Sequence, residues 1–138
     1  MHTKPPPHLG LHHVALFVSN LDAARHFYVD LLGFRVEWEP DADNIYLTSG
    51  CDNLALHRGP VPEVHETQRL DHIGIVVAEA AHVSLWETYL RENSVRILKP
   101  TRTHRDGATS CYVQDPEGLS VQIIHILAVS RQLSAVSG

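Results

Sequence analysis

Apolar residues alternate with polar or small ones through Val14, Leu16 and Val18, and again through Ile73, Ile75 and Val77, the period of two expected of half-buried strands. Each run opens on a histidine, His13 and His72, about 59 positions apart, and each passes into a stretch of helical period. In the first, Leu21, Ala24, Phe27, Tyr28, Leu31 and Leu32 share one face, with Ser19 and Asp22 as an acidic capping box and Gly33 as the left-handed stop. In the second, near 79 to 92, Val83, Trp86, Tyr89 and Leu90 share a face. Strand-like runs near 34 to 38, 44 to 48 and 53 to 58 follow the first helix, broken by Pro40-Asp41-Ala42-Asp43 and Ser49-Gly50-Cys51-Asp52. Runs near 94 to 99, 108 to 114 and 119 to 126 follow the second, and Asp115-Pro116-Glu117-Gly118 reads as a tight turn between the last two.

The pattern is one βαβββ unit written twice. A unit of this size cannot bury its own apolar face, so the two must pair around one core. The predicted fold is α+β: two paired βαβββ modules forming a concave mixed sheet, with helices on the outer face. One domain spans 10 to 127, as module one (10 to 58), a linker (59 to 69) and module two (70 to 127). A Pro-rich arm (1 to 9) precedes it and a polar tail (128 to 138) follows. Period two sends Val14, Leu16, Val18, Leu54, Leu56, Ile73, Ile75, Val77, Val121 and Ile123 under the helices. The opposite, concave side receives His13, Ala15, Phe17, Tyr46, Thr48, Ala55, His57, His72, Gly74, Ser110, Tyr112, Gln122 and Ile124. His12, adjacent to His13, is expected to face away. Pseudo-symmetry places His13 and His72 at matching positions, a natural seat for a metal.

Composition narrows the class. The chain has 138 residues, 43% hydrophobic and 20% charged, ordinary for a soluble domain. A net charge of −5 with no basic cluster argues against a nucleic-acid partner. No apolar run approaches the roughly 20 residues that cross a bilayer, and the start has no apolar segment resembling a secretion signal, so the expected location is the cytoplasm with no membrane partner. Cys51 and Cys111 show no CxxC spacing and read as bland thiols. Residues 103 to 107 have the glycine and polarity of a mobile loop, from which Arg105, or Arg102 just before it, would close over an anionic substrate.

His13-Val14-Ala15-Leu16, Phe27-Tyr28, Leu32-Gly33-Phe34, Asp71-His72-Ile73 and Asp115-Pro116-Glu117-Gly118 together resemble the vicinal oxygen chelate superfamily, over about residues 11 to 126. That superfamily includes glyoxalase I, extradiol dioxygenases, fosfomycin-resistance transferases and bleomycin-binding proteins. The resemblance implies a divalent metal, iron, zinc, nickel or manganese, on the concave sheet, held from the first and last strands of each module. Those four positions here are His13, Ala55, His72 and Gln122. Ala55 can neither ligate nor take a proton and Gln122 is not basic, which disfavours glyoxalase I activity. His13, His72 and Gln122 instead resemble the two-histidine, one-carboxylate triad of the extradiol enzymes with its carboxylate replaced by an amide. His57 and Tyr112 are then the candidates for proton transfer, and Phe17, Tyr46, Thr48, Arg105 and Ile124 for substrate contact.

Two functions compete on this reading. One is a divalent-metal-dependent enzyme of the glyoxalase or dioxygenase type acting on a small oxygen-rich molecule. The other is a metal-free small-molecule binding protein of the drug-sequestering, bleomycin-resistance type. In either case the expected partners are a small molecule and a second copy of the chain, in a homodimer.

Overall fold

Alternation and helical period become structure nearly where the sequence places them. A computed structural model describes residues 5–7, 11–61 and 70–127; the expected arm and linker fall mostly outside these residues, and the tail wholly so. The first module runs β1 (Val14–Val18), α1 (Leu21–Arg25) continued by a π-helical turn (His26–Leu31), β2 (Arg35–Asp41), β3 (Asn44–Thr48) and β4 (Leu54–Arg58). The second runs β5 (His72–Val76), α2 (Ala80–Glu92), β6 (Ile97–Thr103), β7 (Thr109–Gln114) and β8 (Ser120–His125). Each module forms a four-stranded sheet, in the orders β1-β4-β3-β2 and β5-β8-β7-β6. The first strand of each module lies parallel to the last and the other pairings are antiparallel. These are the paired βαβββ modules of an α+β fold. No described helix is long and apolar enough to cross a membrane.

The core is the set of positions that alternation sends under the helices. Val18, Ile45, Leu47, Leu54 and Leu56 of the first sheet, and Cys111, Val113, Val121 and Ile123 of the second, join Leu21, Phe27, Tyr28, Leu31, Val83 and Leu90 in one cluster. Phe27 and Tyr28 are both fully buried although adjacent in sequence. The π-helical turn explains this, because Leu32 N–H reaches Phe27 O at 3.0 Å, a span of five residues, and the wider turn carries two successive rings inward.

Three local expectations change. The helix cap is Asn20, whose Oδ1 accepts from Ala23 N–H at 3.0 Å, and not Ser19. Ser19 Oγ instead donates to Glu117 of the opposite module at 2.8 Å, and Asn20 N–H donates to the same carboxylate at 2.6 Å. A carboxylate at a helix start offsets the partial positive charge of the unpaired N–H groups there, so Glu117 does for α1 what the capping box does in sequence-local form. β6 extends to Thr103, so Arg102 is in a strand. The segment expected to be a mobile loop is a hydrogen-bonded turn: His104 N–H donates to Ala108 O at 2.7 Å, Gly107 N–H to His104 O at 3.0 Å, and Ala108 N–H to Asp106 Oδ1 at 3.0 Å.

Asp115 is the second tie between modules. Its Oδ1 accepts from Glu117 and Leu119 N–H at 2.9 and 2.8 Å, shaping the turn, and its Oδ2 accepts from Tyr28 O–H at 2.7 Å inside the core.

Candidate functional site

Register decides which concave side chains meet. On the second sheet, Gly74 pairs with Gln122 and Tyr112 with Gln122, so His72, Tyr112 and Gln122 lie on three neighbouring strands of one face. The His72 and Tyr112 rings meet edge to face at 5.5 Å, and Lys99 Nζ stands 5.2 Å from the centre of the Tyr112 ring. Gly74 has no side chain, so Gln122 Oε1, 3.7 Å from where a Cβ would stand, is left uncovered on that side. His72 Nδ1 lies 2.6 Å from Asp71 Oδ2. A carboxylate only accepts, so Nδ1 carries the proton and neutral His72 has its lone pair on Nε2.

On the first sheet the concave face is aromatic. Trp38 stacks on Tyr46 with centroids 5.2 Å apart and planes 21° apart, Tyr46 meets His57 at 5.7 Å, and His57 meets Phe17 at 6.4 Å. These contacts cross all four strands. Phe17 is 67% exposed and Trp38 60%, an unusual placement for large rings unless something else covers them. Phe17 lies over Gly59, where a Cβ would stand 2.7 Å from the ring, so only glycine leaves that position to Phe17. His57 is half-buried, and its Nδ1 lies 2.6 Å from Asn44 Oδ1.

His13 sits just before β1, at a cleft of about 260 Å³ lined by His12, Glu37, Trp38, Tyr46 and Asn53, all of the first module. His12, expected to face away, instead places Nδ1 3.0 Å from His13 Nδ1. The alternation argument fails there because both residues precede the first strand residue, Val14. One of these two nitrogens donates to the other, and the tautomer in which His13 donates leaves its Nε2 lone pair for a ligand.

The remaining predicted residues divide. Ile124 lies half-buried on β8, paired with Ser110 on β7. The Thr48 hydroxyl is engaged in the β3–β4 turn, donating to Asp52 O at 2.7 Å and accepting from Gly50 N–H at 3.0 Å. Arg105 is exposed at the turn between β6 and β7. Next to it sits a contact that sequence reasoning missed: His104 Nε2 lies 2.8 Å from the Ser110 hydroxyl, on the concave side. Trp38 and Asn44 were also not singled out, and His12 was expected to face away. Trp38 alone carried a signal, as a large apolar residue in a run bounded by turns.

As donors, these groups suit a borderline divalent ion such as zinc, iron or nickel: imidazole nitrogens on His13 and His72, and the amide oxygen of Gln122. Asp71 on His72, and His12 on His13, are the outer hydrogen bonds that such ligands use to fix orientation. Among the described residues, no group of three or more His, Cys, Asp or Glu side chains is gathered tightly enough to hold an ion. Of the candidate ligands, His13 precedes β1 of the first sheet, whereas His72 and Gln122 lie on β5 and β8 of the second.

Comparison with known proteins agrees with the fold. The chain is 28% identical over 117 residues to the metallothiol transferase FosB of Staphylococcus epidermidis, covering 83% of this chain and 80% of that protein. It is 26% identical over 126 residues to FosB of Staphylococcus haemolyticus, covering 91% and 88%. The crystal structure of a lactoylglutathione lyase from Agrobacterium tumefaciens superposes with a TM-score of 0.70 at 24% identity, covering 88% of this chain and 96% of that one. The model of the Glyoxalase/Bleomycin resistance protein/Dioxygenase superfamily matches residues 10–123, and the chain belongs to that superfamily.

Proposed function

We propose that the chain is a divalent-metal-dependent enzyme of the glyoxalase or dioxygenase type, acting on a small oxygen-rich molecule, with His13, His72 and Gln122 as ligands. The observation that carries this reading is the second-sheet set. His72, with Nδ1 tied to Asp71, offers Nε2 on the face that also bears Gln122 Oε1 and Tyr112. The metallothiol transferases among the relatives favour a metal as well. The bare concave faces, with Phe17, Trp38 and Val76 exposed, favour a homodimer in which the His13 part of one copy meets the His72 part of the other.

A divalent ion bound there supplies Lewis acidity toward two neighbouring substrate oxygens. The chain supplies the rest. Ala55 and Gln122 bring no carboxylate to the two last-strand positions, so His57 and Tyr112 move the proton. Phe17, Tyr46 and Ile124 wall the groove, Thr48 holds the turn beside Tyr46's strand, and Arg105 meets the anionic end of the substrate.

A metal-free binding protein is the second reading, favoured by the neutrality of Gln122 and Ala55. Gln122→Glu separates the two. In a metal site the new carboxylate tightens zinc or nickel about tenfold in calorimetry, worth about 1.4 kcal/mol, because it offsets the ion's charge. In a metal-free groove it adds an unpaired charge, lowers thermal stability and leaves metal affinity unmeasurable in both proteins.

A further inference from the structure

A file of three hydrogen-bonded side chains crosses the first sheet from its outer edge to His57. Asn44 Nδ2 donates to both carboxylate oxygens of Asp41, at 2.9 and 3.1 Å. An amide nitrogen only donates, so this contact fixes which way round the Asn44 amide stands and turns Oδ1 to the other side. There Oδ1 meets His57 Nδ1 at 2.6 Å. A carbonyl oxygen only accepts, so Nδ1 of His57 holds the proton and the lone pair of the neutral ring is on Nε2. The arrangement is built into the ladder, since Asp41 pairs with Asn44 and Asn44 with His57 across β2, β3 and β4. Asp41 itself is secured: hydrogen bonds from Asp43 N–H first and from the Asn44 amide second hold its carboxyl below the ordinary carboxylate range.

We propose that Asp41 and Asn44 are positioning residues that lock His57 as the Nδ1–H tautomer and so make its Nε2 the proton acceptor of the groove. The inference rests on the reading of the concave face as the active site. An uncoupled imidazole in water favours the opposite tautomer, with the proton on Nε2, so without the file His57 would more often donate than accept. Nε2 lies on the ring edge turned away from Asn44, and the ring stands between Tyr46 and Phe17. The substrate feature it selects is an O–H, N–H or S–H group, whose proton passes to Nε2 and gives the imidazolium, leaving the electron pair on the substrate atom. A carbonyl or ether oxygen at the same place faces a lone pair and is rejected.

Nitrogen-15 NMR of histidine-labelled protein at about pH 8.5, where an ordinary imidazole with pKa near 6.5 is neutral, reads the tautomer directly. The His57 signals are assigned by their loss in His57→Gln. Wild-type His57 is expected to show a protonated Nδ1 and an unprotonated Nε2. Asp41→Ala releases the amide to turn over, and Asn44→Leu removes the acceptor; both should shift His57 toward the Nε2–H form. Asp41→Ala with Asn44→Asp should restore the Nδ1–H form, because a carboxylate accepts from either oxygen and needs no orienting. A role limited to shaping the turn would give no such rescue. A protonated Nε2 in the wild type, or no response to Asp41→Ala, overturns the inference, and the wild-type spectrum decides even if a variant fails to fold. Zinc calorimetry on the same samples tests the metal reading separately, as neither Asp41 nor Asn44 belongs to the proposed ligand set. Zinc binding without the tautomer lock sinks this inference alone, and the lock without zinc binding sinks the metal reading alone.

Discussion

Tyr28 and Asp115 show how one buried contact ties the modules and sets a pH response. Burial first, and then the nearby Asp115 carboxylate, raise the Tyr28 hydroxyl well above its ordinary range, so in the folded protein it keeps its proton and remains a donor. The unfolded chain releases that proton near pH 10, so above it the unfolded state binds fewer protons and stability falls as pH rises. Alkaline unfolding curves should therefore steepen in slope above about pH 10 in the wild type and less so in Tyr28→Phe. At neutral pH, Tyr28→Phe strands a buried carboxylate oxygen and should cost about 1.5 to 3 kcal/mol in urea unfolding. Asp115 has the opposite origin to most carboxylates, for burial raises its folded pKa despite three hydrogen bonds. Its contribution is present at acid pH and is lost as pH rises through the raised value. Cysteine chemistry divides as simply: burial pushes the Cys111 thiol up to about 11, while Cys51 is exposed. A maleimide should label Cys51 in the native protein and reach Cys111 only after denaturation. Of all this, the sequence made the Asp-Pro-Glu-Gly turn legible. It did not reveal that Asp115 would meet Tyr28, because that contact joins residues 87 positions apart through a pairing of modules that no local pattern encodes.

At the level of elements, the strands and helices were readable because each has one wet and one dry face, and period fixes which residues fill the dry one. β3 falls where alternation placed it, at Asn44–Thr48. Where both sides of a strand are exposed, as along β2, the sequence offered only its first half, since no apolar alternation marks Glu39 to Asp41. The π-helical turn was also hidden, because a helix that buries Phe27, Tyr28 and Leu31 differs little from an ordinary α-helix in pattern. Phe27 is buried and Trp86 only half so. Phe27→Ala should cost about 3 to 5 kcal/mol, and Trp86→Ala clearly less. Equal losses in thermal or urea unfolding would contradict the placement of the two rings. Face assignment recovered His57, Tyr112 and Gln122 on the concave side. Register, which it could not supply, decided their partners: Asn44 for His57, His72 for Tyr112, Gly74 for Gln122.

For the whole molecule, the concave sides of the two sheets carry the candidate site residues and the exposed apolar side chains Phe17, Trp38 and Val76. On the proposed reading the ligands divide between the modules, with His13 on one and His72 and Gln122 on the other. We propose that halves joined from two copies cover the bare aromatic face and complete the ligand set. This has a consequence that a site closed within one chain does not share. In His13→Ala the chain keeps His72, and in His72→Ala it keeps His13, so a mixed dimer of the two variants holds one intact site and one site lacking both histidines. The decisive measurement is zinc stoichiometry by calorimetry for the wild type, each single variant, and the two variants unfolded together and refolded as a mixture. A site shared between two copies gives binding by the wild type, none by either variant alone, and partial recovery in the mixture. No binding by the wild type, or full stoichiometry in His72→Ala, would contradict it.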